Sequence, residues 1–183
     1  MPPPSVSPAS SSDISPIFHL VNSAYAIELG DSGVAFKKVD RYEEEGCAAR
    51  DVGRSEAEGD DAAFLCLRDE GVLVAAAFVE RGPGPGQATV GPFAVDPERQ
   101  GRGYGSTLLD ACEGWARQHL TDVHEMILDV VNHRTDLPPF YRSRGYSEIG
   151  VAPTDEAHAC DETRVTRPCH FILYRKSIRT PLQ

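Results

Sequence analysis

Apolar residues recur along this chain with two periods, and the change of period divides it into helices and strands. After a polar start, apolar residues return every three or four positions between residues 14 and 25, which predicts a helix with one buried face. They are Ile14, Ile17, Phe18, Val21 and Tyr25. We place the N-cap of this helix at Asp13 and its end at Gly30 and Gly33.

Two polar segments flank this helix. Residues 1–12, MPPPSVSPASSS, are rich in proline and serine, so we predict a disordered tail. Residues 34–61 are charged and irregular, and within them we predict a short helix near 40–48 and a surface loop over 53–61. The length of 183 residues suits one domain with a sizeable core. We therefore assign residues 13–183 to a single domain.

Between residues 63 and 95 the apolar residues form short, dense runs, as strands do. The segment AFLCLRDEGVLVAAAFVE, residues 63–80, holds two such runs joined at Asp69-Glu70-Gly71, which predicts an antiparallel hairpin. A third strand, ATVGPFAV at 88–95, carries Gly91-Pro92 in its middle. Because proline cannot donate a ladder hydrogen bond, a central strand accepts it only at a bulge.

The rest of the chain alternates between helix and strand. The prolines before residue 140 suit a first helical turn, and Gly145 is a C-terminal stop signal. The predicted elements are a helix over 104–119, a strand over 124–131, a helix ending at Gly145, a strand over 146–152, a polar loop over 153–167 and a strand over 169–178. This order predicts an α+β domain with one mixed sheet, and not a regular βαβ array.

Composition narrows the classes of function. The net charge of −10 and the pI of about 5.0 disfavour a nucleic-acid-binding protein. An acidic surface favours cationic partners such as amines, although a role in solubility alone is the simpler interpretation. No apolar run approaches the ~20 residues that span a bilayer, so we expect no membrane partner.

The cysteines and histidines argue against metal chemistry. The five cysteines include no CxxC pair, and the six histidines are dispersed without the spacing of zinc ligands. We therefore expect no metal. The odd number of cysteines and the lack of a signal peptide predict a reducing, cytoplasmic location.

The run DPERQGRGYGS, residues 96–106, is the densest chemical signal in the chain. It lacks the lysine of a Walker A loop, and Ser106 stands where a dinucleotide-binding fingerprint has its third glycine. A third interpretation is a strand that turns into a helix whose N-terminal N–H groups bind a phosphate, with Arg99 and Arg102 adding local positive charge. The plainer alternative is a tight turn with exposed arginines.

Together with its surroundings, this run resembles the GCN5-related N-acetyltransferase (GNAT) family. The strand and loop VGPFAVDPERQGRGYGSTLLDACEGWA, residues 90–116, carry the family's Q/R-x-x-G-x-G/A signature as Gln100, Gly103 and Gly105. The segment ILDVVNHRTDLPPFYRSRGY, residues 127–146, is similar to the family's stretch from an asparagine to a tyrosine. The resemblance extends over residues 14–178. It implies the GNAT acyl-CoA N-acyltransferase fold, a central, mixed, mostly antiparallel twisted sheet flanked by helices.

The resemblance also implies that acetyl-CoA is the acyl donor. Its pyrophosphate would lie on the backbone N–H groups of the loop, and its pantetheine arm would pair with the preceding strand. A bulge at Gly91-Pro92 would turn backbone N–H groups toward the thioester carbonyl. The implied donor-binding residues are Phe93, Ala94, Val95, Arg99, Gln100, Gly101, Arg102, Gly103, Tyr104, Gly105, Ser106, Asn132 and Tyr141.

For the reaction, the resemblance implies direct attack of an amine on the thioester. Tyr141 would be the general acid beside the sulfur, and the plainer alternative for Tyr141 is a core aromatic residue. Asn132 would contact the cofactor arm, although two residues more than usual separate it from Tyr141.

The general base is left open by the sequence. The strand before the loop carries no carboxylate, so the base is a water chain or a residue from elsewhere. For Asp129, flanked by apolar residues, we expect a hydrogen-bonded role in the core. The resemblance implies Glu28, Asp31 and His170 as candidates at the acceptor site, and the plainer interpretation of each is a structural or solvated role.

We therefore predict an acetyl-CoA-dependent N-acetyltransferase that acts on a primary amine, with a small molecule preferred over a protein N-terminus or lysine. The alternative from another class is a non-catalytic acyl-CoA-binding or regulatory module on the same fold. The first strand usual in the family has no clear counterpart, since only the Pro/Ser-rich tail precedes the first helix. The oligomeric state, including a homodimer, stays open.

Overall fold

The fold is a mixed sheet with helices on both faces. The computed structural model describes residues 3–25, 44–57, 61–152 and 170–179. In this part of the chain the strands are β1 (Ser5–Pro8), β2 (Ala62–Asp69), β3 (Val72–Arg81), β4 (Gln87–Val95), β5 (Glu125–Val131), β6 (Ser147–Val151) and β7 (Phe171–Ser177). The helices are α1 (Ile14–Tyr25), α2 (Glu45–Ala57), α3 (Tyr104–His119) and α4 (Leu137–Ser143).

The strands form one seven-stranded sheet in the order β1-β2-β3-β4-β5-β7-β6. β4 and β5 are parallel, and the other five neighbouring pairs are antiparallel. The predicted fold class, a mixed and mostly antiparallel sheet flanked by helices, is confirmed. The hairpin is confirmed as well: Glu70 and Gly71 both have positive φ, as the two-residue turn between β2 and β3 requires.

Two buried clusters hold the helices on the sheet. On one face, α1 and α2 contribute Ile17, Val21 and Val52 to a cluster with Phe64 and Phe78 of the sheet. On the other face, Leu108, Cys112 and Trp115 of α3 and Tyr141 of α4 join a cluster with sheet residues such as Leu65, Val79 and Leu128. Because successive residues of a strand face opposite sides, each central strand serves both clusters.

The prediction of a disordered tail is wrong for Ser5–Pro8, which form β1. This strand pairs antiparallel with β2, from Ser5 opposite Arg68 to Pro8 opposite Leu65. β1 lies at the edge of the sheet, where proline is tolerated because one side of the strand needs no ladder partner. Val6 packs against the core cluster of the α3 face. The strand that the sequence left unassigned is therefore present.

The region before β2 also differs from its prediction. α2 begins at Glu45 and continues to Ala57, so residues 53–57 are helical and not part of a loop. One face of this helix is buried through Ala48, Val52 and Ser55, and this tertiary burial outweighs the polar sequence. At α1, Ser10 donates its backbone N–H to the carboxylate of Asp13 at 2.9 Å. Asp13 also accepts from Arg68 of β2 at 2.5 Å.

Ser55 links α2 to the sheet through a buried hydrogen bond. Its hydroxyl accepts the backbone N–H of Phe64 at 2.9 Å, and Ser55 is 7% exposed. Ser55→Ala should lower the free energy of unfolding by about 1–3 kcal/mol, because a buried N–H then loses its acceptor. Urea denaturation measures this change. Ser15→Ala, which removes an exposed hydroxyl bond from α1 to Glu45, should change it by less than about 1 kcal/mol; equal losses would contradict the prediction.

Candidate active site

A wedge opens in the sheet between β4 and β5. The two strands pair only where Gln87–Thr89 lie beside Glu125–Ile127. Beyond this point β4 continues to Val95 along β3, and β5 continues to Val131 along β7. Within the described residues, the facing edges of the two strands therefore lack strand partners from residues 90 and 128 onward. Such an edge presents backbone N–H and C=O groups to whatever enters the wedge.

A bulge in β4 stands at the mouth of this wedge. Val90 pairs with Val79 and Phe93 pairs with Ala77, so Gly91 and Pro92 together lie opposite one residue of β3. The predicted bulge is confirmed. It explains how a central strand carries a proline, since the extra residue is not needed in the ladder.

The backbone groups of β4 beyond the bulge point into the wedge. The N–H of Phe93 donates to the hydroxyl of Tyr25 at 3.2 Å. The carbonyl of Val95 accepts from the side-chain amide of Gln100 at 3.4 Å. Between them, Ala94 is buried in the cluster beneath α1 and α2. Two side chains thus bond to two of the backbone groups on this strand edge.

The glycine-rich run connects β4 to α3 as predicted. Gly103 is the N-cap of α3 with φ of +87°, and no side chain caps the helix. The first-turn N–H groups, which have no acceptors within the helix, therefore point out of its end. A Cβ added at Gly101 or Gly103 would meet no atom within 4 Å, so the space beside these two residues is open.

The start of α3 is held in place by Tyr104. Its hydroxyl donates to Asp69 of the β2–β3 turn, and this hydrogen bond raises the pKa of Tyr104. The charges of Arg99 and Arg102 also act on the Tyr104 hydroxyl, in the opposite direction. Both arginines therefore lie near the N-terminal end of α3. Their positive charges reduce, at this point, the negative potential that comes from the net charge of the protein.

Tyr141 lies on α4 against the α3 face of the sheet and is 5% exposed. Its ring packs edge-on against Tyr146, with ring centroids 5.9 Å apart. Burial raises the pKa of Tyr141. The nearby Tyr25, when ionised, and the charge of Asp129 raise it further, while the charge of Arg134 lowers it. The phenol therefore stays protonated at neutral pH, the state that a proton donor requires.

Asn132 and His170 continue the pairing of β5 and β7 by one residue on each strand. The N–H of Asn132 donates to the carbonyl of His170 at 2.9 Å, and the N–H of His170 donates to Oδ1 of Asn132 at 3.1 Å. β7 begins at Phe171, so His170 directly precedes this strand and does not lie within it as predicted. Glu28 and Asp31 lie outside the described residues.

The expected core role of Asp129 is wrong. Met126, Leu128 and Val130 are the buried residues of β5, so the alternation of the strand turns Asp129 to the opposite face, where it is exposed. The charge of Asp129 nevertheless raises the pKa of Tyr141. The period-two pattern of EMILDVV was the available signal for this orientation.

Tyr25 and Arg134 are residues of the wedge that the sequence did not indicate. The side chain of Arg134 is largely buried and makes two hydrogen bonds to Asp136, at 2.9 and 2.8 Å. The hydrogen bond to Asp136 raises the pKa of Arg134 against the effect of burial, and the side chains of Tyr25 and Tyr141 are near enough to raise it further when they ionise. Arg134, Tyr25 and Tyr141 thus lie close together. No local pattern in the sequence marks this cluster.

Comparison with known proteins agrees with this geometry. The model of the acetyltransferase (GNAT) family matches residues 23–146. No curated protein sequence matches the chain. Because the family model spans most of the chain, the protein belongs to the GNAT family of acetyltransferases, and its predicted class as a GNAT-type N-acetyltransferase is confirmed.

Solved structures share the fold at low sequence identity. The ribosomal-protein-S18-alanine N-acetyltransferase of Escherichia coli is 18% identical, with a TM-score of 0.68 over 99% of this chain and 97% of that chain. YncA of Salmonella typhimurium, solved with its cofactor acetyl-CoA, is 14% identical, with a TM-score of 0.70 over 100% and 98%. The PaiA N-acetyltransferase of Thermoplasma acidophilum, solved with coenzyme A, is 16% identical, with a TM-score of 0.68 over 96% and 99%.

Metal-ligand clusters and membrane-spanning helices are both absent from the described residues. These residues contain no group of three or more His, Cys, Asp or Glu side chains that could hold a metal ion. In the same ranges, no helix is both long and apolar enough to cross a membrane.

Proposed function

We propose that this protein transfers the acetyl group of acetyl-CoA directly to a primary amine of a small molecule. One observation carries the proposal: the open edge of β4 leads to the uncapped N-terminus of α3, with Tyr141 beside the same opening. A strand edge can pair with the amides of a pantetheine arm, and a helix N-terminus can bind a pyrophosphate.

The residues present suit the pyrophosphate and the pantetheine arm of acetyl-CoA. The N–H groups of residues 100–106 would bind the pyrophosphate, with Arg99 and Arg102 supplying charge. Because Gly101 and Gly103 have no Cβ and the space that a Cβ would enter is open, the phosphates could approach the backbone there. The arm would pair with Phe93–Val95, displacing the side chains that now bond this edge.

Acetyl transfer requires three events around the thioester carbonyl. The amine nitrogen forms a bond to the carbonyl carbon, the carbon–sulfur bond breaks, and the negative charge on the carbonyl oxygen is stabilised in between. The N–H of Phe93 would bind that oxygen. Tyr141 would give its proton to the departing thiolate. Burial raises the pKa of Tyr141 and keeps the phenol protonated until then, and the charge of Arg134, which lowers this pKa, would stabilise the phenolate that forms.

The proton leaving the amine needs an acceptor, and β4 carries no carboxylate. We propose Asp129 for this role, since it is exposed on β5 and lies close enough to Tyr141 to affect its pKa. His170 is the second candidate for the general base. It lies at the same end of β5, because its N–H donates to Asn132, the residue that follows this strand.

Asp129→Asn should lower kcat/KM at neutral pH about tenfold, a modest loss for a base that acts on an exposed amine. The defect should shrink as the pH rises toward the pKa of the amine, because a larger fraction of the amine is then already deprotonated in solution and needs no base. A pH profile of kcat/KM measures both effects. Glu125→Gln is the matched control, since Glu125 lies on the same face of β5 and pairs with Arg175 at 3.6 Å. A pH-independent defect would exclude this role.

The acceptor can be identified by measuring thiol release from acetyl-CoA. We expect release with cationic small molecules, tested as polyamines, amino acids and aminoglycosides, because the net charge of −10 favours cations. Release with peptides alone would indicate a protein acetyltransferase, the activity named for the similar fold from Escherichia coli. Binding of acetyl-CoA without turnover across the panel would instead identify a non-catalytic module.

A further inference from the structure

Tyr25, the last residue of α1, lies at the wedge and has no role in the reaction described above. Its hydroxyl accepts the N–H of Phe93 at 3.2 Å. Its side chain is nevertheless well exposed, at 38% for the whole residue. Tyr25 thus lies at the end of α1 and contacts the edge of β4 through its hydroxyl.

The position of this hydroxyl coincides with that of a reacting atom. If acetyl-CoA binds as proposed, its carbonyl oxygen takes the N–H of Phe93, and the Tyr25 oxygen now occupies that place. The hydroxyl must then shift by about one oxygen–oxygen contact, roughly 2.7 Å. After that shift the Tyr25 hydroxyl faces the carbonyl oxygen. Because a carbonyl oxygen has no proton to give, the hydroxyl can act toward it only as a donor.

We propose that Tyr25 is a catalytic residue whose hydroxyl donates a hydrogen bond to the thioester carbonyl oxygen, beside the N–H of Phe93. The inference rests on the proposed function. No proton is transferred to the oxygen: the carbon–oxygen π electrons move onto it as the amine adds, both donors stabilise that charge, and it collapses as the thiolate leaves. Hydrogen bonds to charged acceptors are stronger than those to neutral ones, so the bond strengthens as the charge develops.

The surroundings of the two tyrosines fit a division of roles. Tyr141 is buried on α4, on the α3 face of the sheet, whereas Tyr25 enters from α1 on the other face. The two side chains lie near enough for Tyr25 to affect the pKa of Tyr141. One phenol would therefore serve the sulfur and the other the carbonyl oxygen of the same thioester.

The test is Tyr25→Phe, which keeps the ring and removes the donor. We expect kcat with acetyl-CoA and the wild-type amine acceptor to fall about 10- to 100-fold, the equivalent of one hydrogen bond to a charged group. Two unreactive ligands isolate the contact with oxygen: the ketone in which a methylene replaces the thioester sulfur, and S-ethyl-CoA, which lacks the carbonyl. The ratio of the S-ethyl-CoA Kd to the ketone Kd should fall at least about threefold in the variant.

The ratio of the two Kd values distinguishes a hydroxyl that donates to the carbonyl from one that does not. An unchanged ratio would show that the hydroxyl does not contact the carbonyl, and a raised ratio would show that Tyr25 only competes for the N–H of Phe93; either overturns the inference. Ser15→Ala, which removes another hydroxyl bond of α1, should keep the wild-type ratio and kcat. If the wild-type protein acetylates no amine, the proposed function fails, while the two Kd values still test the contact.

Discussion

Tyr141→Phe should lower kcat about 10²- to 10⁴-fold, the range expected when a general acid is lost. The hydroxyl is the only group removed, and the ring keeps its contacts with Tyr146 and Tyr174. The affinity for coenzyme A should therefore stay within about twofold of wild type. Stopped-flow or steady-state assays give kcat, and calorimetry gives the Kd.

Tyr174→Phe is the matched control for Tyr141→Phe. Tyr174 is also fully buried, and its hydroxyl lies 3.5 Å from Glu148, away from the wedge. Its loss should leave kcat near the wild-type value. Because burial raises the pKa of Tyr141, the wild-type rate should also show no loss from its ionisation below about pH 10. If the Tyr141→Phe variant keeps the wild-type kcat, Tyr141 is not the general acid and serves only in the packing of the core.

Gly103→Val should weaken coenzyme A binding at least about 100-fold, as expected if the backbone can no longer approach the pyrophosphate. In the free protein a Cβ at this position meets no atom within 4 Å, so the added side chain obstructs the ligand and not the fold. Its φ of +87° adds strain of about 1–2 kcal/mol for a residue with a Cβ.

Gly71→Val separates strain from obstruction. Gly71 has a nearly equal φ of +81° and also has open space around it, but it lies in the β2–β3 turn. Both variants should lose similar stability in thermal unfolding, and only Gly103→Val should lose coenzyme A affinity by calorimetry. Unchanged affinity in Gly103→Val would refute the phosphate site.

Local sequence patterns anticipated most of the sheet and the donor loop. The hairpin at Asp69-Glu70-Gly71, the bulge at Gly91-Pro92 and the helix after Gly103 each depend on residues that are neighbours in the chain. Backbone freedom at glycine and the missing donor of proline act over a few residues. Such features can be read without knowing what packs around them.

The errors arose where distant segments meet. Ser5–Pro8 form a strand only because β2, some 60 residues later, offers its edge. Residues 53–57 are helical because Ser55 and Val52 are buried against the sheet. Pairing and burial of this kind come from tertiary packing, which outweighs local composition.

The sequence by itself determined the family, the fold and the loop expected to bind the acetyl donor, because these follow from a contiguous motif and from hydrophobic periodicity. Only the tertiary structure decided which side chains share the wedge. It brought Tyr25 from α1, Asp129 from β5 and Tyr141 from α4 to one opening, because β4 and β5 stop pairing after Thr89 and Ile127. No spacing along the chain encodes that divergence, which depends on how the whole sheet packs.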